Sequence, residues 1–210
     1  MLGIHHYWLF IATAIVLVLT PGQDTFFILG RSLASGRPAG VAAALGITAG
    51  SVIHTCLAAL GLSALLATSP YAFMAVKFAG AAYLLYIGIR ALLARAGGLP
   101  GAGSNGADDG RWAAFRQGIL NNLLNPKVAL FFLALMPQFI SAGSIHKVAA
   151  FLALGITFVT LGVLWCLVLA VGAAHLRGLF LRRPSMATWL NRVAGLMFIG
   201  LGLRLATAPQ

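Results

Sequence analysis

Apolar residues fill this chain in long blocks separated by short polar interruptions. Six blocks stand out, over residues about 7–29, 39–67, 71–94, 112–139, 147–174 and 189–206. A helix rises about 1.5 Å per residue, so about 20 apolar residues cross a hydrocarbon core about 30 Å thick. The pattern therefore predicts an all-α membrane protein with six transmembrane helices. Two blocks carry a helix breaker near their middle. Thr20-Pro21-Gly22 interrupts the first, and Asn125-Pro126 interrupts the fourth.

Composition agrees with the pattern. Of 210 residues, 60% are hydrophobic and 8% charged, whereas soluble domains carry roughly 25% charged residues. This excludes a soluble enzyme, a disordered chain and an ordinary nucleic-acid-binding domain. The net charge of +11 would suit an anionic partner, but the basic residues are scattered over inter-helix loops without interleaved aromatics. They read as topology signals, because Lys and Arg hold loops on the cytoplasmic side. The first, third and fifth loops hold ten of them: Arg31, Arg37, Arg90, Arg95, Arg111, Arg116, Arg177, Arg182, Arg183 and Arg192. The opposite side holds Lys147 and Arg204, while Lys77 and Lys127 fall inside spans. Both termini are expected on the periplasmic side. The start, MLGIHHYW, lacks a basic n-region and a cleavage site, so the first block is expected to be a retained helix.

The two halves echo each other. Pro21 precedes Phe26-Phe27 at the spacing at which Pro126 precedes Phe131-Phe132. Leu45-Gly46-Ile47-Thr48 returns as Leu154-Gly155-Ile156-Thr157, and Ile87-Gly88-Ile89-Arg90 as Leu201-Gly202-Leu203-Arg204. The matches are collinear, with offsets between 105 and 115. Three helices per repeat is an odd number, so the second repeat enters the membrane from the opposite side. The expected organisation is two inverted three-helix repeats, 1–96 and 112–210, joined by a Gly-rich cytoplasmic linker, 97–111. Inverted repeats of this kind recur in secondary transporters, with the substrate site near the midplane on broken helices.

Both proline breaks are expected at mid-membrane, where freed backbone groups are tolerated only inside protein or along a cavity. The half-helix starting near Gly22 would offer N–H groups and a positive dipole end to a carboxylate. Beside the breaks stand the most costly residues of the spans, Asp24 and Lys127, at about 2.5–3.5 kcal/mol each on insertion scales. They are expected to face one cavity within ion-pair reach, directly or through water. Lys127 would attract a substrate carboxylate. Asp24 would attract an ammonium, or take and release a proton. A pair that merely fixes helix packing is the alternative. Asn121, Asn122 and Asn125 could bond the freed backbone or contact substrate, and Thr20 and Gln23 are similarly ambiguous.

Thr20-Pro21-Gly22-Gln23-Asp24 and Asn125-Pro126-Lys127 resemble the signature of the LysE/RhtB family of amino-acid exporters. That pattern usually reads T-P-G-P-D, and Gln23 stands here in place of its second proline. The resemblance implies efflux of amino acids or close derivatives across a bacterial inner membrane. It also implies coupling to the proton gradient, no cofactor, and a functional set of Pro21, Gly22, Asp24, Asn125, Pro126 and Lys127. The expected partners are an amino-acid substrate and the lipid bilayer, with no nucleic acid. A homo-oligomer is one arrangement open to it.

Other residues carry alternatives. Gly46 and Gly50, like Gly36 and Gly40, have the spacing of close helix packing. His54 reads as a hydrogen-bonded helix contact rather than a proton relay. No spaced ligands suggest a metal site, and no catalytic residue is expected. Trp8, Trp112, Trp165 and Trp189 would form an aromatic belt at helix ends. Residues 175–188 read as an interfacial elbow. Cys56 and Cys166 fall in corresponding helices and carry the rival reading, a transmembrane thiol–disulfide electron conduit. Against it stand the absence of any C-x-x-C or redox domain and the distance of both cysteines from the proline breaks, and two small apolar side chains in a packed interior are the favoured account of the pair.

Overall fold

The computed structural model describes residues 2–62, 110–141 and 143–182, with single positions within 74–93 and 192–206. Those single positions are helical. The bodies of the predicted third and sixth spans, the linker at 97–109, Lys77 and Trp189 lie outside the described residues. Among the described residues the architecture is all-helical, with one isolated antiparallel bridge between Ile4 and Ile140.

The first apolar block is two half-helices. α1 covers Tyr7–Leu19 and ends at Thr20, which is extended at φ −64°, ψ 119°. A residue before proline is driven out of the α region by the proline ring, so Pro21 fixes this end. α2 begins after the extended Gly22 and runs Gln23–Leu57, continuing as a π-helical turn, Ala58–Leu62. Its two arms meet at Gly36, whose φ of 80° only glycine adopts without strain. The arms fold back on each other there. Residues 32 and 40 would stand about 12 Å apart on a straight helix, yet a Cβ built on Gly40 would lie 3.1 Å from Ser32 Cα. Pro38 sits in the first turn of the second arm, where its missing N–H costs nothing. Gly36 is thus a turn residue and not the packing glycine expected from its spacing.

The fourth block is bent likewise. α3, Arg111–Leu123, and α4, Pro126–Leu130, meet at the Asn125-Pro126 break. The chain then tightens through a π-helical turn, Phe131–Leu135, and a 3₁₀ turn, Met136–Phe139. The bend between the halves is 50°. α5 runs Lys147–Arg182, past the expected end near 174, because no breaker appears before Pro184. Part of the expected elbow is therefore a continuation of this helix. By length and composition alone Gln23–Gly61, which contains the Gly36 turn, and Lys147–Ala173 are apolar enough to cross a membrane, and the bent pair qualifies if it is one span.

Packing divides into two clusters. One is aromatic: Phe10, Phe131, Phe139 and Phe158 pack ring against ring at centroid distances of 4.6 to 5.8 Å. The other is built of smaller side chains, with Ile28, Ala43, Ala44, Ile47, Leu169 and Ala170. Here α2 and α3 touch backbone to backbone. A Cβ on Gly118 would lie 2.6 Å from the Ala43 carbonyl oxygen, one on Gly46 would strike the Phe115 carbonyl, and one on Gly50 would lie 2.8 Å from Asn122 Cβ. The Gly46/Gly50 spacing does serve close packing.

Arg31 departs from expectation. It is not a loop residue but sits in the first arm of α2, 4% exposed, bonded to Gln117 Oε1 and 5.8 Å from the Phe27 ring centroid. The arm runs six residues further than the apolar block suggested, since Arg31 finds polar company on α3. Residues at the N-terminus strap the end of the α3–α4 pair. His5 N–H donates to Phe139 O at 3.0 Å, and Ser141 N–H to Gly3 O at 2.8 Å.

Candidate functional site

The two breaks converge. Breaking a helix at proline frees the carbonyl four residues earlier, because the ring nitrogen has no hydrogen. For Pro21 that carbonyl belongs to Leu17. Lys127, from the other break, donates its ammonium to Leu17 O at 3.1 Å and to Thr20 O at 3.0 Å. For Pro126 the freed carbonyl belongs to Asn122. It accepts from Asn125 N–H at 3.0 Å and lies 3.4 Å from His54 Nε2. His54 is therefore a hydrogen-bonding helix contact, stacked on Phe132 at 5.5 Å.

Asp24 lies in the first turn of α2, where the helix dipole favours a carboxylate. Its two oxygens accept from Asn121 Nδ2 at 2.7 Å and Asn122 Nδ2 at 2.9 Å. Asn122 is buried, and its own oxygen accepts from Ser51 at 3.3 Å. Asn121 accepts in turn from Gln23 Nε2 at 3.0 Å. Asn121 and Asn122 thus bond a carboxylate with their side chains rather than the freed backbone. Asn125 does serve the backbone: it caps α4, its oxygen accepting from Lys127 N–H at 3.1 Å. Thr20 closes α1 by donating to Val16 O at 2.6 Å.

Asp24 and Lys127 do not bond each other; among the described residues, amides hold the carboxylate and carbonyls hold the ammonium. They do line one cavity of about 50 Å³, together with Leu17, Thr25, Ser51, Asn122, Phe158, Trp165, Cys166 and Leu169. This is space for a few water molecules, and the cavity is partly open. An ammonium has three donors, and two are engaged. Gly22 keeps the approach open, since a Cβ there would stand 3.1 Å from Lys127 Nζ. The structure thus brings Asp24 and Lys127 to one cavity, with Gly22, Thr20 and Asn125 against Lys127 and Gln23 reaching Asp24 through Asn121, beside the breaks at Pro21 and Pro126.

Sequence reasoning missed Ser51 and Trp165. Ser51 is one small polar residue in a helix full of them and gives no signal. The sequence pattern suggests an aromatic-belt role for Trp165, but it stands midway along α5 in the cavity wall. A Trp that far from both helix ends was the available signal. Trp8 and Trp112, 81% and 68% exposed, fit the belt. Cys56 is exposed and Cys166 buried in the cavity wall, and both are free thiols. Nothing supports the electron conduit. No cluster of three metal-ligating side chains occurs among the described residues.

Residues 15–208 match the family described as LysE type translocator. The chain is 38% identical over 97% of its length to an uncharacterized membrane protein of Vibrio cholerae, covering 98% of that protein. It is 32% identical over 99% of its length to an uncharacterized membrane protein of Pseudomonas aeruginosa, covering 97% of it. It is also 32% identical over 98% of its length to the leucine efflux protein of Salmonella typhimurium, covering 96% of it. No solved structure matches the chain significantly. The chain belongs to the LysE type translocator family.

Proposed function

We propose that this translocator exports neutral, apolar amino acids of the leucine type from the bacterial cytoplasm, in exchange for protons and by alternating access. One observation carries the reading: a cavity between two broken helices lined by a carboxylate, Asp24, and an ammonium, Lys127. A zwitterion needs one partner of each sign. Lys127 would turn its third N–H to the substrate carboxylate, and Asp24 would take the substrate ammonium on one stroke and a proton on the other. Leu17, Val18, Ile47, Val128, Phe158 and Leu169 give the wall an apolar part, and its other polar residues, Thr25, Ser51 and Asn122, are neutral. Among the described residues no further charge awaits a charged side chain there. The similarity to leucine efflux proteins supports the same solute class.

The cavity is partly open in this conformation and would widen to take that solute. It lies between the aromatic cluster and the small-residue cluster, which would part in turn to open either side. Six spans in two inverted repeats, 1–96 and 112–210, with the linker 97–111 inside the cell and both termini in the periplasm, give these two gates equivalent roles. What supports the repeat is the pair of proline breaks 105 residues apart, each with its freed carbonyl satisfied from outside its own helix.

The test is counterflow in proteoliposomes containing the purified full chain. Leucine preloaded inside should drive accumulation of labelled leucine, and an imposed proton gradient should drive net movement. Counterflow of neither leucine nor any other neutral amino acid would overturn the assignment.

A further inference from the structure

The cavity wall holds a polar group that the proposed function leaves unused. Trp165 stands midway along α5, and its indole N–H is buried without an acceptor among the described residues. A buried donor left unpaired costs about 1–3 kcal/mol, and tryptophans buried in proteins usually find a partner. Phenylalanine would fill similar apolar space without that cost. A donor kept unsatisfied beside a binding cavity is one that meets its acceptor only when the cavity is filled.

We propose that Trp165 is a substrate-binding residue whose indole N–H donates to one carboxylate oxygen of the exported amino acid, while its ring bounds the space for the side chain. Lys127 and Trp165 both line the cavity, so a carboxylate there would have one donor for each oxygen. Two of the three Lys127 donors are held by Leu17 O and Thr20 O, which leaves one for the substrate and makes a second donor necessary. In this structure the indole N–H is shielded. Expansion of the cavity to admit a solute is what uncovers it. Binding and satisfaction of the donor are then one event, and the empty site carries a penalty that the substrate relieves. The inference rests on the amino-acid export reading and adds the group that reads the carboxylate.

The experiment compares wild type with Trp165→Phe, reconstituted as full chains, using leucine and leucinamide as probes. Leucinamide keeps the ammonium and side chain but presents a neutral amide in place of the carboxylate. Trp165→Phe should raise the half-saturation concentration for leucine about tenfold, equivalent to about 1.4 kcal/mol, and leave that for leucinamide nearly unchanged. The unliganded thermal midpoint in detergent should stay equal or rise, since an unpaired donor is removed. Leucine should lose most of its stabilising effect on the variant. If Trp165→Phe does not fold, benzothienylalanine at 165 keeps the bicyclic shape and removes the same N–H. An unchanged leucine-to-leucinamide ratio overturns the role of Trp165 alone, as does an equal weakening of both probes. Absence of counterflow of leucine and of every other neutral amino acid in wild type overturns the export reading together with this one.

Discussion

Lys127 Nζ lies 3.1 Å from the carbonyl oxygen of Leu17, the group that Pro21 leaves without its helical donor. A side chain from the second proline break thus repairs the backbone of the first. The bond explains how an ammonium can stand among spanning helices. The two carbonyls at the C-terminal end of α1 carry the negative end of its dipole and offset the charge. It also gives Lys127 a structural duty alongside the proposed one, and the first prediction separates the two.

Lys127→Met should abolish transport and also lower stability by about 2 kcal/mol or more, because two buried carbonyls lose their donor. Lys127→Arg should keep the fold, since guanidinium also donates to carbonyls, while transport falls at least tenfold as the wider head enters the cavity. Thermal unfolding in detergent and leucine counterflow check the two effects. Arg at 127 with wild-type transport would reduce the lysine to a structural cap.

Asp24→Asn should leave the fold largely intact, since an amide can still accept one bond from Asn121 or Asn122. Export should fall at least tenfold. Wild-type export driven by an inward proton gradient should increase as the outside becomes more acidic. The residual export of the variant should be indifferent to it. Initial rates at several outside pH values decide the matter, and an unaltered rate with an unaltered pH profile would remove Asp24 from the mechanism.

Gly162 lines the cavity, and a Cβ there would meet nothing within 4 Å. Gly162→Val should therefore fold normally while narrowing the binding space. Its preference should move from leucine toward alanine by about tenfold, at 1–3 kcal/mol for each methylene misfit. Gly46→Ala is the converse case, because its Cβ would strike the Phe115 carbonyl. It should lower the thermal midpoint by several degrees without changing which amino acid is preferred. Competition between labelled leucine and unlabelled alanine, read beside thermal melts, tests both.

Cys56→Ser with Cys166→Ala should retain at least half of wild-type export, and oxidants or reductants should not change its rate. Cys56 is exposed and Cys166 buried, both as free thiols, and neither donates a bond on which the broken helices depend. A redox-dependent growth defect in cells carrying this double variant would revive the electron-conduit reading.

What the sequence determined by itself was the all-helical, apolar character of the chain and the position of the two proline breaks. Apolar block length against bilayer thickness, and proline's missing donor, are local properties that need no third dimension. For the same reason Thr20-Pro21-Gly22 and Asn125-Pro126 were legible as interruptions, and Asp24 and Lys127 as costly residues requiring company. The sequence could not say which company. Linear spacing does not tell whether an ammonium meets a carboxylate or a carbonyl, and tertiary packing gave Lys127 to Leu17 and Thr20, and Asp24 to Asn121 and Asn122. Nor could it tell a loop arginine from the buried Arg31, or a belt tryptophan from Trp165 in the cavity wall, because a helix face acquires its meaning only from what packs against it. The proline breaks are written in the chain, whereas the cavity between them exists only where two distant segments meet.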